Sequence, residues 1–441
     1  MTAPAKPKSQ ALHERARKVM PGGNTRAIVW QSPYPTYLAS GKGAYVTDVD
    51  GNRYLDLLNN YYTLIHGHAR AEVVEAMTRQ AALGACFSLP TEREIELAEV
   101  LCGRVKSFDE IRFTNTGTDA VMFALKGARA LTGRPMIAKC EGAYHGAYEP
   151  VEVSVETSPE RWGNRPAKII YSKGTPEKMV SDVLVTPFNR TEESLSILSD
   201  HAKNLAAILV DPMPARIGPV FAEKAYLEAL RAFCDKHGIV LIFDEVACFR
   251  AGHGGVQSIL GIDPDMTTLG KIIGGGLPVG AVAGKREFMR VFDPSKGKPD
   301  APHSGTFSAN PMTMAAGHAA MSLLTPAAFE HLSGLGKRLQ KGVAAAISDA
   351  KADMQVIGYG STWRIHPHTR DIVDYRTSHP APAEAARMSD FVKRLFAKGF
   401  IVSGNGSMAL STAMVDADID SFVAAVGETL REQSATTAMA S

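Results

Sequence analysis

Residues 239–246 read IVLIFDEV, an unbroken apolar run that stops on two adjacent carboxylates, Asp244 and Glu245. A short run of β-branched and aromatic residues without polar alternation describes a strand buried on both faces, here over 239–243. Working outward, similar strands are expected at 110–114 (EIRFT), 136–140 (MIAKC), 206–210 (AAILV) and 279–283 (VGAVA). Helical spacing fills the intervals, as at 119–131 and 223–237. Strands alternating with helices predict an α/β fold, a mainly parallel sheet covered by helices. Ligands of such sheets bind beyond the carboxyl ends of the strands, which is where Asp244 and Glu245 fall.

The rest of the chain frames this core. Residues 1–8 read as a loose Pro/Lys-rich tail, and 9–20 (SQALHERARKVM) as an amphipathic helix stopped by Pro21-Gly22-Gly23. Residues 44–57 (AYVTDVDGNRYLDL) read as a β-hairpin around Asp50-Gly51. Residues 150–185 show no period and read as a long surface excursion. After residue 325 a second α+β unit is expected, with helices at 326–350 and 382–399 and strands at 363–366 and 407–413. A last helix at 417–432 can be capped by Asp416 or Asp418. The expected division is an N-terminal segment over 1–64 that joins the small domain, a large domain over 65–325, and a small C-terminal α+β domain over 326–441.

Composition narrows the function classes. With 441 residues, 45% hydrophobic and 21% charged, the chain can bury a large core without staples, and bulk disorder is excluded. Lysine and arginine total 48 against 46 acidic residues, a net charge of +2. That balance leaves no broad footprint for nucleic acid or an anionic membrane, so any anion site must be local. The five cysteines (Cys86, Cys102, Cys140, Cys234, Cys248) are scattered and form no CxxC pair, which indicates neither a disulfide framework nor a metal site. The N-terminus, MTAPAKPKSQ, lacks the apolar run of a signal peptide, and no stretch is long enough to span a bilayer; both point to the cytoplasm.

Four features fall at strand ends. Thr114-Asn115-Thr116-Gly117-Thr118-Asp119 follows the strand at 110–114 and opens a helix, with Thr116 and Asp119 at capping-box spacing. Free N–H groups, hydroxyls and the positive dipole end can hold a phosphate there, although an ordinary capped helix has the same pattern. Asp244 and Glu245 are carboxylates in a half-dry setting that need a cation, a protonated ring nitrogen or a metal, or else serve as a cap or structural ion pair. Lys271, in TTLGKIIGGG (267–276), lies between apolar residues and a glycine triplet. A lysine kept neutral by apolar neighbours can form a Schiff base with an aldehyde; a surface lysine before a flexible loop is the plainer alternative. In Gly142-Ala143-Tyr144-His145-Gly146 an aromatic between glycines can lie flat on a planar ring, or simply anchor its loop.

Each feature is weak alone, but their order on a parallel α/β sheet matches the needs of pyridoxal phosphate. That cofactor requires an anion site, a stacking partner, a carboxylate at its ring nitrogen and a Schiff-base lysine. With PGGNTR (21–26), TNTGTDA (114–120), YHG (144–146), FDEV (243–246), TTLGKIIGGG (267–276) and HSGTFSANPMTMAAG (303–317), the chain resembles class III aminotransferases of the fold-type I pyridoxal-phosphate superfamily. The resemblance runs over residues 10–430 and is strongest to the branch holding glutamate-1-semialdehyde aminomutases and β-phenylalanine-type aminotransferases.

The resemblance implies a seven-stranded-type sheet, a small domain built from both chain ends, and roles for particular residues. Lys271 would form the Schiff base and shuttle the proton, and Asp244 would pair with the ring nitrogen. Val246 and Tyr144 would cover the two ring faces, while Thr116, Gly117 and Thr118 would hold the phosphate. Thr306 would reach the phosphate of a neighbouring subunit, implying a homodimer with shared active sites. Arg26 would grip the substrate carboxylate.

Two departures bear on the substrate. The stretch after YHG lacks the Gly-Ser-Gly gating loop of the aminomutases, and FDEVACFR keeps the spacing to Arg250 seen in β-amino-acid aminotransferases. Ser403-Gly404-Asn405-Gly406 carries no arginine where those enzymes have a second carboxylate binder, which favours an acceptor with one carboxylate. The expected activity is ping-pong transfer of an amino group from a carboxylate-bearing amine, a β-amino acid, to pyruvate or 2-oxoglutarate. The alternatives are an aminomutase or related isomerase or racemase, and a broad ω-transaminase.

Overall fold

The structure, a computed structural model, describes residues 6–440. Its centre is a seven-stranded sheet. From one edge to the other run Glu110–Thr114, Gly280–Gly284, Met266–Gly270, Val240–Asp244, Leu205–Val210, Met136–Cys140 and Val183–Thr186. Neighbours pair in parallel except Gly280–Gly284, which is antiparallel to both strands beside it. Only residues 271–279 separate that strand from the one before, and a parallel return needs a crossover of a dozen residues or more.

Two of these strands are absent from the sequence reading. Val183–Thr186 overlaps the end of the stretch read as a surface excursion. The rest of that stretch is also less superficial than expected, because Val151, Val153, Val155 and Ile169 are buried. Met266–Gly270 has no apolar run to announce it, yet Thr267 and Thr268 are fully buried. Their hydroxyls are satisfied, Thr267 accepting from Gln257 Nε2 at 3.2 Å and Thr268 donating to Asp244 Oδ1 at 3.0 Å. A β-branched residue whose hydroxyl has a partner fits a buried strand as well as valine does.

Helices cover both faces. Ala120, Val121, Ala124, Leu125 and Ala128 of helix Gly117–Thr132 pack on Ile137, Val240, Ile242, Met266 and Val282. On the opposite face, Tyr226, Leu227, Leu230 and Cys234 of helix Lys224–His237 pack on Ile208, Leu241 and Phe243. The central strand thus sends alternate side chains to opposite helices, as its period of two requires.

The chain ends meet beyond the large sheet. Phe400–Ile401 pairs in parallel with Arg53–Asp56, so both ends contribute to one four-stranded sheet. A three-stranded sheet of Gln355–Tyr359, Thr362–His366 and Ser407–Ala409 lies alongside helices Pro326–Asp349 and Asp416–Ala440. The strand expected at 407–413 ends early, at Ala409. The first helix runs over Pro7–Ala16, earlier than expected. Lys6 before it is buried, with Nζ bonded to Thr36 Oγ1 at 2.9 Å and 4.3 Å from the Phe396 ring centroid, so the expected tail is tied down from residue 6. Its residues 1–5 lie outside the described residues. No helix among the described residues is long and apolar enough to cross a membrane.

Candidate active site

Asp244 ends its strand on the face of Val240 and Ile242, toward helix Gly117–Thr132. Its Oδ2 lies 2.7 Å from His145 Nδ1, and its Oδ1 accepts from the Val246 N–H and the Thr268 hydroxyl, each at 3.0 Å. An ionised carboxylate only accepts, so Nδ1 carries the proton of the bond to His145. Burial works against the charge of Asp244, but His145, Val246 and Thr268 outweigh it and hold the carboxyl below the usual range.

Glu245, the next residue, turns away. Its Oε2 accepts from the Val256 N–H at 2.7 Å, and its Oε1 from the Gln257 N–H at 2.9 Å and Gln257 Nε2 at 3.0 Å. The pair of carboxylates in the sequence therefore divides into one that faces the site and one that fastens helix Gly255–Leu260.

Lys271 follows strand Met266–Gly270 directly, in a left-handed conformation with φ +50°. Leu269, Ile272 and Ile273 around it are buried, and its Nζ lies 5.6 Å from the Tyr62 ring centroid. Burial pushes its ammonium below the ordinary lysine range, against the pull of Asp244 and Asp211 nearby. Asp211 is buried, and burial together with the charge of Asp244 raises its carboxyl to about 7.

The turn at Thr116 meets this pair from the side. Thr116 caps helix Gly117–Thr132, its hydroxyl accepting from the Asp119 N–H at 3.1 Å. The first amides of a helix, here beginning at Gly117 and Thr118, have no intrahelical acceptor and suit an anion. A Cβ on Gly117 would stand 2.8 Å from Val246 Cγ1, so glycine is required where Val246 packs against the turn. The YHG loop closes on the same turn: the Ala147 N–H donates to Thr118 Oγ1 at 3.2 Å, and a Cβ on Gly146 would fall 2.4 Å from that oxygen. Tyr144 keeps 53% of its surface exposed while His145 beside it is buried against Asp244. The structure thus brings Asp244, Lys271, Val246, Gly117, Thr118 and the Tyr144 loop together. Thr306 is exposed, in a loop whose Gly305 lies beside Asn115 of the same turn.

Arg26 reaches this region through another segment. Its Nη1 donates to Asn60 Oδ1 at 2.8 Å, and Asn60 stands two residues before Tyr62, the residue facing Lys271. The carbonyl of Tyr62 accepts from buried Arg250 Nη1 at 2.8 Å; Arg250 also holds Ser361 Oγ at 2.9 Å and the Leu410 carbonyl. Arg250 therefore joins three separate chain segments.

Several residues here carry no role in the sequence reading. His145 lies inside the YHG motif, which was the available signal. Asn60 carries no signal of its own. Lys139 is fully buried, with Nζ on the Val153 carbonyl at 2.7 Å, and burial lowers it to about 7. Arg364 comes from strand Thr362–His366, and its Nε donates to the Asn405 carbonyl at 3.2 Å, so the 403–406 loop does have an arginine beside it.

These groups fit pyridoxal phosphate. A carboxylate held ionised suits a protonated ring nitrogen, a lysine of lowered basicity suits an aldehyde, and a helix N-terminus beside hydroxyls suits a phosphate. The fit agrees with comparison to known proteins. The chain is 39% identical over 369 residues to a glutamate-1-semialdehyde 2,1-aminomutase of Methanothermobacter thermautotrophicus, covering 83% of this chain and 86% of that protein. Its fold matches the crystal structure of an ω-transaminase from Sphaerobacter thermophilus with a TM-score of 0.94 and 48% identity, covering 96% of this chain and 97% of the other. It matches a β-phenylalanine aminotransferase from Variovorax paradoxus with a TM-score of 0.87 and 33% identity, covering 98% and 95%. The family model for class-III aminotransferases matches residues 28–426. The chain therefore belongs to the class-III aminotransferases and is a fold-type I pyridoxal-phosphate enzyme.

Proposed function

We propose that this enzyme moves an amino group from a carboxylate-bearing amine, a β-amino acid, to a keto acid such as pyruvate or 2-oxoglutarate in ping-pong fashion. The observation that carries the reading is the segment joining Arg26 to Lys271. Arg26 binds a neutral amide, so its charge stays available to a carboxylate, and the same segment sets the Tyr62 ring 5.6 Å from Lys271 Nζ. The likeness to proteins named ω-transaminase and β-phenylalanine aminotransferase supports it.

Bound pyridoxal phosphate supplies an electron sink for the carbon that loses a proton. The rest falls to this chain. Thr116, Gly117 and Thr118 would hold the phosphate, joined by Thr306 of a second subunit in a cytoplasmic homodimer. Val246 and Tyr144 would cover the two ring faces. Asp244 keeps its negative charge against burial and so keeps the ring nitrogen protonated. Lys271 would hold the cofactor's aldehyde through its Nζ and, once displaced by the amine, would act as the neutral base that moves the proton of the amine-bearing carbon. Its lowered basicity leaves a larger neutral fraction for that step. Arg26 fixes the donor's carboxylate bidentately.

The test is a half-reaction. Cofactor-loaded enzyme mixed with 3-amino-3-phenylpropanoate and no keto acid should lose the absorbance of the lysine-linked cofactor, and pyruvate or 2-oxoglutarate should restore it. No change with this donor, but change with simple amines, would discard the β-amino-acid assignment in favour of a broad ω-transaminase. Isomerisation of a single substrate without release of ketone would favour an aminomutase. The 39% identity to a protein of that name makes the second outcome worth the same experiment.

A further inference from the structure

Residues Asn59, Asn60, Tyr61 and Tyr62 all adopt positive φ, at 49°, 49°, 54° and 76°. Four such residues in a row form one turn of left-handed helix, with the Tyr62 N–H on the Leu58 carbonyl at 3.1 Å and the Thr63 N–H on the Asn59 carbonyl at 3.0 Å. This handedness is disfavoured at every L-residue, least for asparagine and most for bulky side chains such as tyrosine. Strain of this kind persists only where the surroundings over-determine it.

The surroundings here do so. Asp56 Oδ1 accepts from the Leu58 and Asn59 N–H groups, each at 2.9 Å. Asn59 Nδ2 donates to the Ala409 carbonyl at 2.7 Å, and Arg250 holds the Tyr62 carbonyl. Nothing in the packing of the exposed Asn60 side chain calls for such a turn. What the turn achieves is directional: it sets Tyr62 against Lys271 at one end and Asn60 against Arg26 at the other.

We infer that the left-handed turn Asn59–Tyr62 is the platform that aims Arg26 at the donor's carboxylate, with Asn60 as the positioning residue. The inference rests on the reading of Arg26 given above. An amide is the fitting partner for this task. It occupies one guanidinium N–H and leaves the fork free for a carboxylate. Being neutral, it does not cancel the charge that attracts the ligand, whereas a carboxylate at position 60 would compete with the substrate.

Three variants of the cofactor-loaded enzyme separate the possibilities: Asn60→Gly, Asn60→Asp and Arg26→Gln. Glycine accepts φ +49° without strain, so Asn60→Gly removes the side chain and spares the turn. The first readout is calorimetric binding of 3-phenylpropanoate, which carries the carboxylate and no amino group. The second is the ratio of half-saturating concentrations for 3-amino-3-phenylpropanoate and 1-phenylethylamine in the half-reaction.

Asn60→Gly should weaken 3-phenylpropanoate and shift the ratio against the acid by about tenfold, the scale of one hydrogen bond to a charged group. Asn60→Asp should weaken it further, in a way that added salt partly relieves, because an ion pair now holds Arg26. If Arg26→Gln shifts the ratio but Asn60→Gly does not, the positioning role is wrong and the reading of Arg26 stands. If Arg26→Gln also leaves both readouts unchanged, the carboxylate site lies elsewhere and both fall. If 3-phenylpropanoate binds with this dependence yet 3-amino-3-phenylpropanoate never converts the cofactor, the platform stands and the assigned reaction is wrong.

Discussion

At the end of one strand, Asp244 and Glu245 have the same chemistry, the same burial and the same number of hydrogen-bond donors, and they end in opposite states. Asp244 receives His145 Nδ1, the Val246 N–H and the Thr268 hydroxyl. Glu245 receives the Val256 N–H, the Gln257 N–H and the Gln257 side-chain amide. Asp244 is held below the usual carboxylate range, whereas burial and the charge of Asp244 push Glu245 up to about 7. Counting donors does not explain the difference. Among the donors of Asp244 is an imidazole that, although burial lowers its basicity, can hold the shared proton at Nδ1 as the neutral tautomer, so the carboxylate stays charged. The donors of Glu245 are all amides, and none can relieve it of a proton. The difference sorts the two acids into a working group and a structural one.

The hardest test of that division falls on the residue the working side serves. Lys271→Ala should reduce turnover by at least ~10³-fold while the protein still folds. Borohydride treatment followed by peptide mass analysis should find the cofactor fixed to the 271 peptide in the parent enzyme and nowhere in the variant. Full activity in Lys271→Ala would remove the basis for calling this side the working one.

Next come the two acids themselves. Asp244→Asn should lower kcat by ~10²-fold or more with a melting temperature close to the parent's, since the charge is lost but the new amide N–H can donate to His145 Nδ1 once the ring carries its proton on Nε2, so no donor is stranded. Glu245→Gln should do the reverse. One of the three donors on Glu245 loses its acceptor, which costs about 1–3 kcal/mol of stability, while kcat stays within a few-fold. Equal losses of kcat in both, or equal losses of stability, would erase the distinction between them.

The two sides were not equally legible in the sequence. Strands 110–114, 136–140, 206–210, 239–243 and 279–283 announce themselves as short apolar runs, and the structure has a strand at each within a residue or two. Met266–Gly270 does not, because its buried faces are threonine whose hydroxyl partners, Gln257 and Asp244, are brought by folding. The same limit applies at the site. Lys271, Asp244, Gly117 and Tyr144 each lie in a motif whose local chemistry suggests a task, and the sheet brings their strand ends together. The left-handed turn at Asn59–Tyr62 has no such signature. Its stability comes from Asp56, Arg250 and Ala409, so nothing within the four residues foretells it.

A third carboxyl sharpens the comparison with the smallest expected effect. Asp211 extends strand Leu205–Val210 toward the same face as Asp244, near enough to feel its charge, yet burial and that charge raise it to about 7. Its carboxyl accepts from the Met213 N–H, at 3.0 Å, and from the Cys248 thiol, neither of which can take its proton as an imidazole can. If the basic partner rather than the face decides the state, Asp211 keeps its proton where Asp244 has lost one. In the unfolded chain an aspartate loses its proton near about pH 4. The folded protein therefore binds the extra proton between about pH 4 and the raised value, and stability from this group is full below that window and lost as pH rises through about 7. Asp211→Asn cannot titrate. Its melting temperature relative to the parent enzyme should rise across that window and level off above it, by a few degrees at most. A difference that stays flat with pH would mean that Asp211 is ionised beside Asp244, and that the imidazole is not what separates them.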